Sequence, residues 1–337
     1  MFIGPSLAPL WAAAEPGLIS PPNSAHRPLY TPRPMPKNAK PKPKSKSKTP
    51  AKSKASGPRP ALRGQAAKAD RYDLYQRAVQ CFEAEVDFVS ETFRKVRKRP
   101  ARIIREDFCG TFGVCCEWAR RNPDNVAVGL DFDPEPVDWG RQHNLTKLKP
   151  AQQERVHILG ANVLEPPRLP RLAPKGFDAV LAMNFSYWCF KDRATLLDYF
   201  RKVRASLGPD GVFFMDACGG SDNTRICKEH RPIGRKGGRD SYTYIWDHAE
   251  YDPIAGDMVC KIHFKLPDGS RIPDAFVYAW RHWTLPEIRD VLTDAGFSRV
   301  TVYWEGEDGK GGGNGIFKPA EHGDCCDSFI CYIVSEK

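Results

Sequence analysis

The chain lacks the features that most quickly assign a protein. Its 11 cysteines include adjacent pairs at Cys115-Cys116 and Cys325-Cys326 but no C-x-x-C spacing. Neither a zinc site nor a disulfide framework is suggested, so no metal is expected. Scattered cysteines of this kind read as small buried apolar residues in a reducing compartment. No apolar run approaches the roughly twenty residues that cross a bilayer, so no membrane span is expected. The opening MFIGPSLAPLWAAAEPGLI lacks a positive n-region and is broken by Pro5, Pro9 and Pro16, which argues against a secretory signal. These absences point to the cytoplasm, and the basic, acid-poor N-terminus is also compatible with an organellar transit peptide.

Acid is nearly missing from residues 1–69, where 13 Lys and Arg stand against Glu15 alone, a charge of +12. The same stretch holds 14 of the 30 prolines, and its segment KPKPKSKSKTPAKSK has no aromatic residue. Such a segment buries too little surface to fold and predicts a disordered basic tail. Subtraction from the totals leaves 38 basic and 40 acidic residues over 70–337, a net charge of −2. Nucleic-acid affinity depends on neutralising phosphates, so the body is not expected to bind nucleic acid and weak polyanion contact would fall on the tail. The oligomeric state stays open.

What is present begins at Asp70. Apolar residues recur at Leu74, Ala78, Phe82, Val86, Val89, Phe93 and Val96, spacings that predict one amphipathic helix from Asp70 to Lys98 whose start, Tyr72 to Gln76, could cover a ligand. From Ala101 to Asp131 an apolar run ends in Glu106 and Asp107, a tight turn surrounds Gly110, a helix follows, and a second apolar run ends in Asp131. That is one βαβ unit, and its right-handed crossover puts the turn and both strand ends on one sheet edge, where ligands bind. A helix from Asp133 to about His143, a strand Val156 to Leu159, a strand within Lys175 to Asn184, a helix Asp192 to Leu207 and a strand Val212 to Ala217 continue the alternation.

Then the period changes. Ser241 to Trp246, Met258 to Leu266 and Ala275 to Trp283 alternate with period two, and Pro267-Asp268-Gly269 is turn chemistry. Thr284 to Glu287 forms a capping box for a helix closing at Gly296, and strands Val300 to Trp304 and Phe329 to Val334 flank a Gly-rich loop from Gly306 to Gly315. The expected architecture is α/β: a doubly wound, mostly parallel, seven-stranded Rossmann-like sheet over 70–337, with an antiparallel β lid at about 231–283 inserted after the fifth strand.

The landmarks on the ligand edge are Glu106 to Gly110, Asp131, Asn162 and Asn184. In this order they resemble the class I S-adenosylmethionine-dependent methyltransferases, over residues 100–337. The first turn of that family reads D-x-G-x-G-x-G; here Glu106 takes the acid position, Gly110 and Thr111 match, and Phe108 and Phe112 stand where glycine is usual. The resemblance implies S-adenosyl-L-methionine as cofactor, with Asp131 on the ribose hydroxyls, Asn162 beside the adenine, and Asn184 and Phe185 beside the reacting methyl group. A carboxylate suits a diol because it accepts two charge-assisted hydrogen bonds. A dinucleotide needs close backbone approach at several glycines, which Phe108 and Phe112 obstruct.

The inserted sheet looks like the lid of small-molecule methyltransferases, including glycine N-methyltransferase-like enzymes, and implies a small-molecule acceptor methylated at N or O. Methyl transfer is an in-line displacement that relies on proximity and exclusion of water. On the lid, Tyr244 and Trp246 share one face and Trp280 lies on a like face of another strand, an arrangement that reads as an aromatic wall around an amine or as plain cross-strand packing. Arg281 could meet a substrate carboxylate, His282 could act as base, and Tyr187 stands after the fourth strand near the transfer site by family analogy. Two other functions remain open: an RNA or protein methyltransferase that uses the basic tail, and a methyltransferase-like binding protein without catalysis.

Overall fold

In a computed structural model the structure describes residues 61–235, 238, 240–309 and 312–337. Most of the expected tail lies outside the described residues. Contacts begin ahead of Asp70: a short turn at Gly64–Ala67 docks on the lid, with Gln65 N–H donating to Asp268 Oδ2 at 2.8 Å and Ala66 N–H to Ser270 Oγ at 3.0 Å.

The expected single helix is two. Helix α1 (Arg71–Val79) is capped by the Asp70 carboxylate, which accepts from Tyr72 and Asp73 N–H, and α2 (Phe82–Arg97) follows after Gln80 turns extended at φ −106°, ψ 138°. The apolar spacing runs through the break because each half buries its stripe against a different partner. Leu74 and Ala78 enter a core under the lid, whereas Val86, Val89 and Phe93 pack against the main sheet.

The main sheet is built from β1 (Ile103–Asp107), β2 (Val126–Asp131), β3 (Val156–Gly160), β4 (Phe177–Ala182) and β5 (Leu207–Gly219), which run parallel in the spatial order β3-β2-β1-β4-β5. Helices α3 (Gly113–Arg121), α4 (Pro134–His143), α5 (Pro150–Gln153), α6 (Arg193–Ser206) and later α7 (Leu285–Asp294) fill the connections. One face of the sheet buries Val128, Val180 and Phe213 with Leu196 and Phe200 of α6. The other buries Ile104, Ala179 and Phe214 with α2 and α3.

A second, four-stranded antiparallel sheet follows β5: β6 (Cys227–Ile233), β7 (Tyr242–Tyr251), β8 (Asp257–Lys265) and β9 (Arg271–Arg281), paired in sequence order. The lid thus has a strand more than its sequence pattern suggests, because Pro232 and alternating charge hide β6. The main sheet then closes with β10 (Arg299–Glu307), β11 (Gly313–Ala320) and β12 (Phe329–Glu336), antiparallel in the order β5-β12-β10-β11. Eight strands replace the expected seven. The additional one is β11, whose Gly, Asn and Pro content masks a strand that Phe317 anchors against Phe88 and Tyr332. No helix among the described residues is long and apolar enough to cross a membrane. Six of the cysteines are buried as expected, but Cys189, Cys325 and Cys326 are exposed.

Candidate active site

The first turn holds its shape through backbone conformations usually left to glycine. Phe108, Gly110 and Phe112 have φ of 57°, 48° and 47°, a left-handed region that bulky residues adopt only when packing enforces it. Packing does so here: Phe112 is fully buried among the α2–α3 core, and Phe108 lies against Phe190 and Tyr199. Both rings therefore leave the mouth of the turn. A Cβ on Gly110 would meet nothing within 4 Å, so the space over this residue is open.

Around that space the polar groups are fixed. Gly110 N–H donates to Asp131 Oδ2 at 2.8 Å, and Asp133 N–H donates to the other oxygen at 2.9 Å. Each oxygen keeps a lone pair for a further donor. Burial pushes the Asp131 carboxyl above its ordinary range while these backbone bonds pull it down. Thr111 Oγ1 accepts from Gln76 of α1 at 2.7 Å, which ties α1 over the turn. Glu106 is buried, and its Oε2 accepts from Cys115 N–H and Sγ at 3.2 and 2.9 Å. Burial pushes its carboxyl up to about 7 against those bonds. Asp107, which the sequence would allow to be exposed, is buried with Arg105, two bonds at 2.8 and 3.0 Å, and with the Tyr199 hydroxyl at 2.9 Å. Asn162 is exposed at its strand end and its Oδ1 accepts from Leu164 N–H at 2.9 Å.

At the end of β4, Asn184 and Phe185 are also left-handed, with φ of 59° and 55°. The carboxylate of Asp216, on β5, holds both: it accepts from Asn184 N–H at 2.7 Å and from Phe185 N–H at 2.9 Å. Burial nonetheless pushes Asp216 up to about 7. Tyr187 is fully buried, and its hydroxyl donates to the Asp216 carbonyl at 2.8 Å.

Between this edge and the lid lies a cavity of about 470 Å³. Met183, Asn184, Phe185 and Asp216 form one wall and Tyr244, Trp246, Tyr278 and Trp280 another, while Tyr75, Gln80 and Glu85 reach it from α1, the break and α2. Tyr278 and Trp280 stack at 4.5 Å, and Trp280 meets Trp188 edge-on at 6.0 Å. His248 also lines the cavity, and burial pushes its imidazole down to about 4. Glu85 is pushed up to about 8, by burial first and by Glu106 and Asp216 next.

Of the residues singled out from the sequence, Asn184, Phe185, Tyr244, Trp246 and Trp280 meet in the cavity. Glu106, Gly110, Thr111 and Asp131 cluster at the neighbouring turn. Tyr187, Arg281 and His282 are not among the lining residues. Arg281 lies 3.7 Å over the Trp283 ring and donates to Glu287, and the His282 ring packs 5.4 Å from that of Trp188. Glu85, Asp216 and His248 carried no signal by spacing: Glu85 reads as the polar side of a helix, and the other two as strand residues among many.

Neither a protein-family model nor a curated protein matches the sequence. Solved structures do match the fold. An amino pentose methyltransferase from Micromonospora echinaspora, CalS10, in its S-adenosylmethionine-bound form, is similar at a TM-score of 0.56 and 14% identity over 80% of this chain and 97% of its own. An S-adenosylmethionine-dependent methyltransferase from Clostridium acetobutylicum gives 0.55 and 14% over 79% and 96%. The sugar N-methyltransferase KedS8 from a Streptoalloteichus species gives 0.54 and 18% over 86% and 99%. The expected resemblance is thus met at the level of architecture, and the chain has the fold of S-adenosylmethionine-dependent methyltransferases.

Proposed function

We propose that this protein is an S-adenosylmethionine-dependent methyltransferase that moves a methyl group to an N or O atom of a small molecule. One arrangement carries the reading: β1 ends in the turn at Gly110, with open space over it and the Asp131 carboxylate beside it, and its parallel neighbour β4 ends in Asn184 and Phe185, which line a cavity walled by lid aromatics. The residues fit such a donor. Asp131 would accept from the ribose hydroxyls, Gly110 and Thr111 would line the methionine part, Glu106 would stand behind it, and Asn162 would flank the adenine. Asn184 and Phe185 would border the reacting end.

When bound, the donor supplies a methyl group activated by a sulfonium. The chain supplies placement and dryness, which govern a displacement that disperses charge. Asp216 fixes the two strained residues at the end of β4, and so fixes the rim between the two halves of the site. The aromatic walls exclude water from the acceptor. Glu85, Asp216 and His248 are the groups in the lining able to take a proton from it. Tyr187, hydrogen-bonded to the backbone, serves the placement of Asp216 rather than the acceptor. The three solved structures just described include sugar and amino pentose methyltransferases, which agrees with an acceptor of small size. The test is a screen of amines, amino acids, phenols and sugars for formation of S-adenosylhomocysteine by the full chain. Turnover of a small molecule supports the reading, and turnover of RNA or protein substrates alone overturns it.

A further inference from the structure

The lining of the cavity includes a carboxyl with an oxygen that no described residue answers. Glu85, in the first turn of α2, is 7% exposed, and its Oε2 has no hydrogen-bond partner among the described residues. It shares the lining with Asp216, a second buried carboxyl. The two guanidinium groups of the lining are engaged elsewhere. Arg77 pairs with Asp73 and with the Asp240 carbonyl, and Arg231 donates to the Ala78 carbonyl and lies over the Tyr244 ring, with its Nε unmatched. His248 is held neutral by burial, and Tyr75 is paired with the Tyr278 hydroxyl. Glu106 and Asp216 add negative charge near Glu85. No cation among the described residues therefore neutralises it, and a buried carboxylate without a counter-charge is strongly disfavoured. The same lining holds ring systems: Tyr278 and Trp280 stacked at 4.5 Å, with Trp246 at 6.2 Å from each. Ring faces attract organic cations, most strongly away from water.

We propose that the acceptor is an amine that enters this cavity as an ammonium ion, donating to Glu85 Oε2, balanced by Asp216, with Trp246, Tyr278 and Trp280 around its carbon skeleton. This rests on the methyltransferase reading and narrows its acceptor to an amine nitrogen. A neutral alcohol of the same shape brings no charge to offset the carboxylates. Glu85 enters the complex mainly protonated, so pairing with an ammonium ionises it and releases up to about one proton per amine near pH 7. For transfer, the ammonium gives a proton to the Glu85 carboxylate; an N–H bond breaks, an O–H bond forms, and the freed lone pair makes the new C–N bond as the C–S electrons return to sulfur.

The test is calorimetry on the full chain saturated with S-adenosylhomocysteine. Methylamine, ethanolamine, benzylamine and glucosamine are each titrated against the hydroxyl counterpart, namely methanol, ethylene glycol, benzyl alcohol and glucose. At least one amine is expected to bind about tenfold or more tightly than its counterpart. Its heat should differ between buffers of unlike ionisation enthalpy in the sense of proton release. Glu85→Gln should lose about tenfold or more of that affinity while binding S-adenosylhomocysteine as before. If S-adenosylhomocysteine itself does not bind, the methyltransferase reading fails and takes this inference with it. If it binds while the alcohols match the amines, or while Glu85→Gln holds amines as tightly as the wild type, the amine proposal alone is overturned. The comparison of amine with alcohol is made on the wild type, so it decides the question even where the variant does not fold.

Discussion

Gly110 donates its backbone N–H to Oδ2 of Asp131 at 2.8 Å, so the turn after β1 and the tip of β2 form one rigid corner. The carboxylate is thereby aimed before any donor arrives. Replacing it removes both the corner's acceptor and the group proposed to meet the ribose hydroxyls. Asp131→Ala is expected to weaken S-adenosylmethionine binding by about 1.5 to 3 kcal/mol, the usual loss for hydrogen bonds to a charged group. Calorimetric titration of the folded variant measures this, and an unchanged dissociation constant would show that the ribose lies elsewhere.

Asp216 answers two backbone donors in a stretch with left-handed φ. Asp216→Ala leaves Asn184 and Phe185 N–H without acceptors and frees a strained segment. A stability loss of about 2 to 4 kcal/mol is expected in urea unfolding. A variant as stable as the wild type would mean that the strain at the end of β4 is relieved by other contacts.

Glu85, Glu106 and Asp216 give stability a definite pH dependence. Burial pushes the first to about 8 and the other two to about 7, above their ordinary values near 4. Each therefore binds its proton more tightly in the folded state. Their contribution is complete below the ordinary carboxylate range and is lost as the pH rises through about 7 to 8. The midpoint of thermal unfolding should fall between about pH 6 and pH 8.5, and Glu85→Gln should flatten that fall. A midpoint that rises across this window would contradict the buried state of these groups.

Trp280 touches Phe185, Trp188, Trp246 and Tyr278, and so joins the lid to the strand ends. Trp280→Ala is expected to raise the acceptor KM about tenfold or more and to leave the donor dissociation constant within about twofold. Equal losses in both would place the tryptophan in the support of the whole fold rather than at the acceptor.

Most of the main sheet was legible because its strands are apolar runs of local origin, and the β1–α3–β2 unit was legible as a whole. Gln80 was not, since a helix break between two stripes with one continuous spacing changes nothing in the period. The strand β11 was hidden because its stability comes from pairing with β10 and from Phe317 on Phe88, neither of which leaves a local pattern. Asp131 could be picked out by its place at a strand tip. Glu85 could not, because its isolation in the cavity is made by β5, β7 and β9, all distant in sequence. Phe108 and Phe112 raised a conflict with the glycine pattern that only tertiary packing resolves.

The central claim is that the corner at Gly110 and Asp131 binds S-adenosylmethionine. Calorimetric titration of the full wild-type chain with this donor tests it most directly. Saturable one-to-one binding with a dissociation constant of about 1 to 100 μM is the predicted result, and no detectable heat of binding at about 1 mM donor would contradict it.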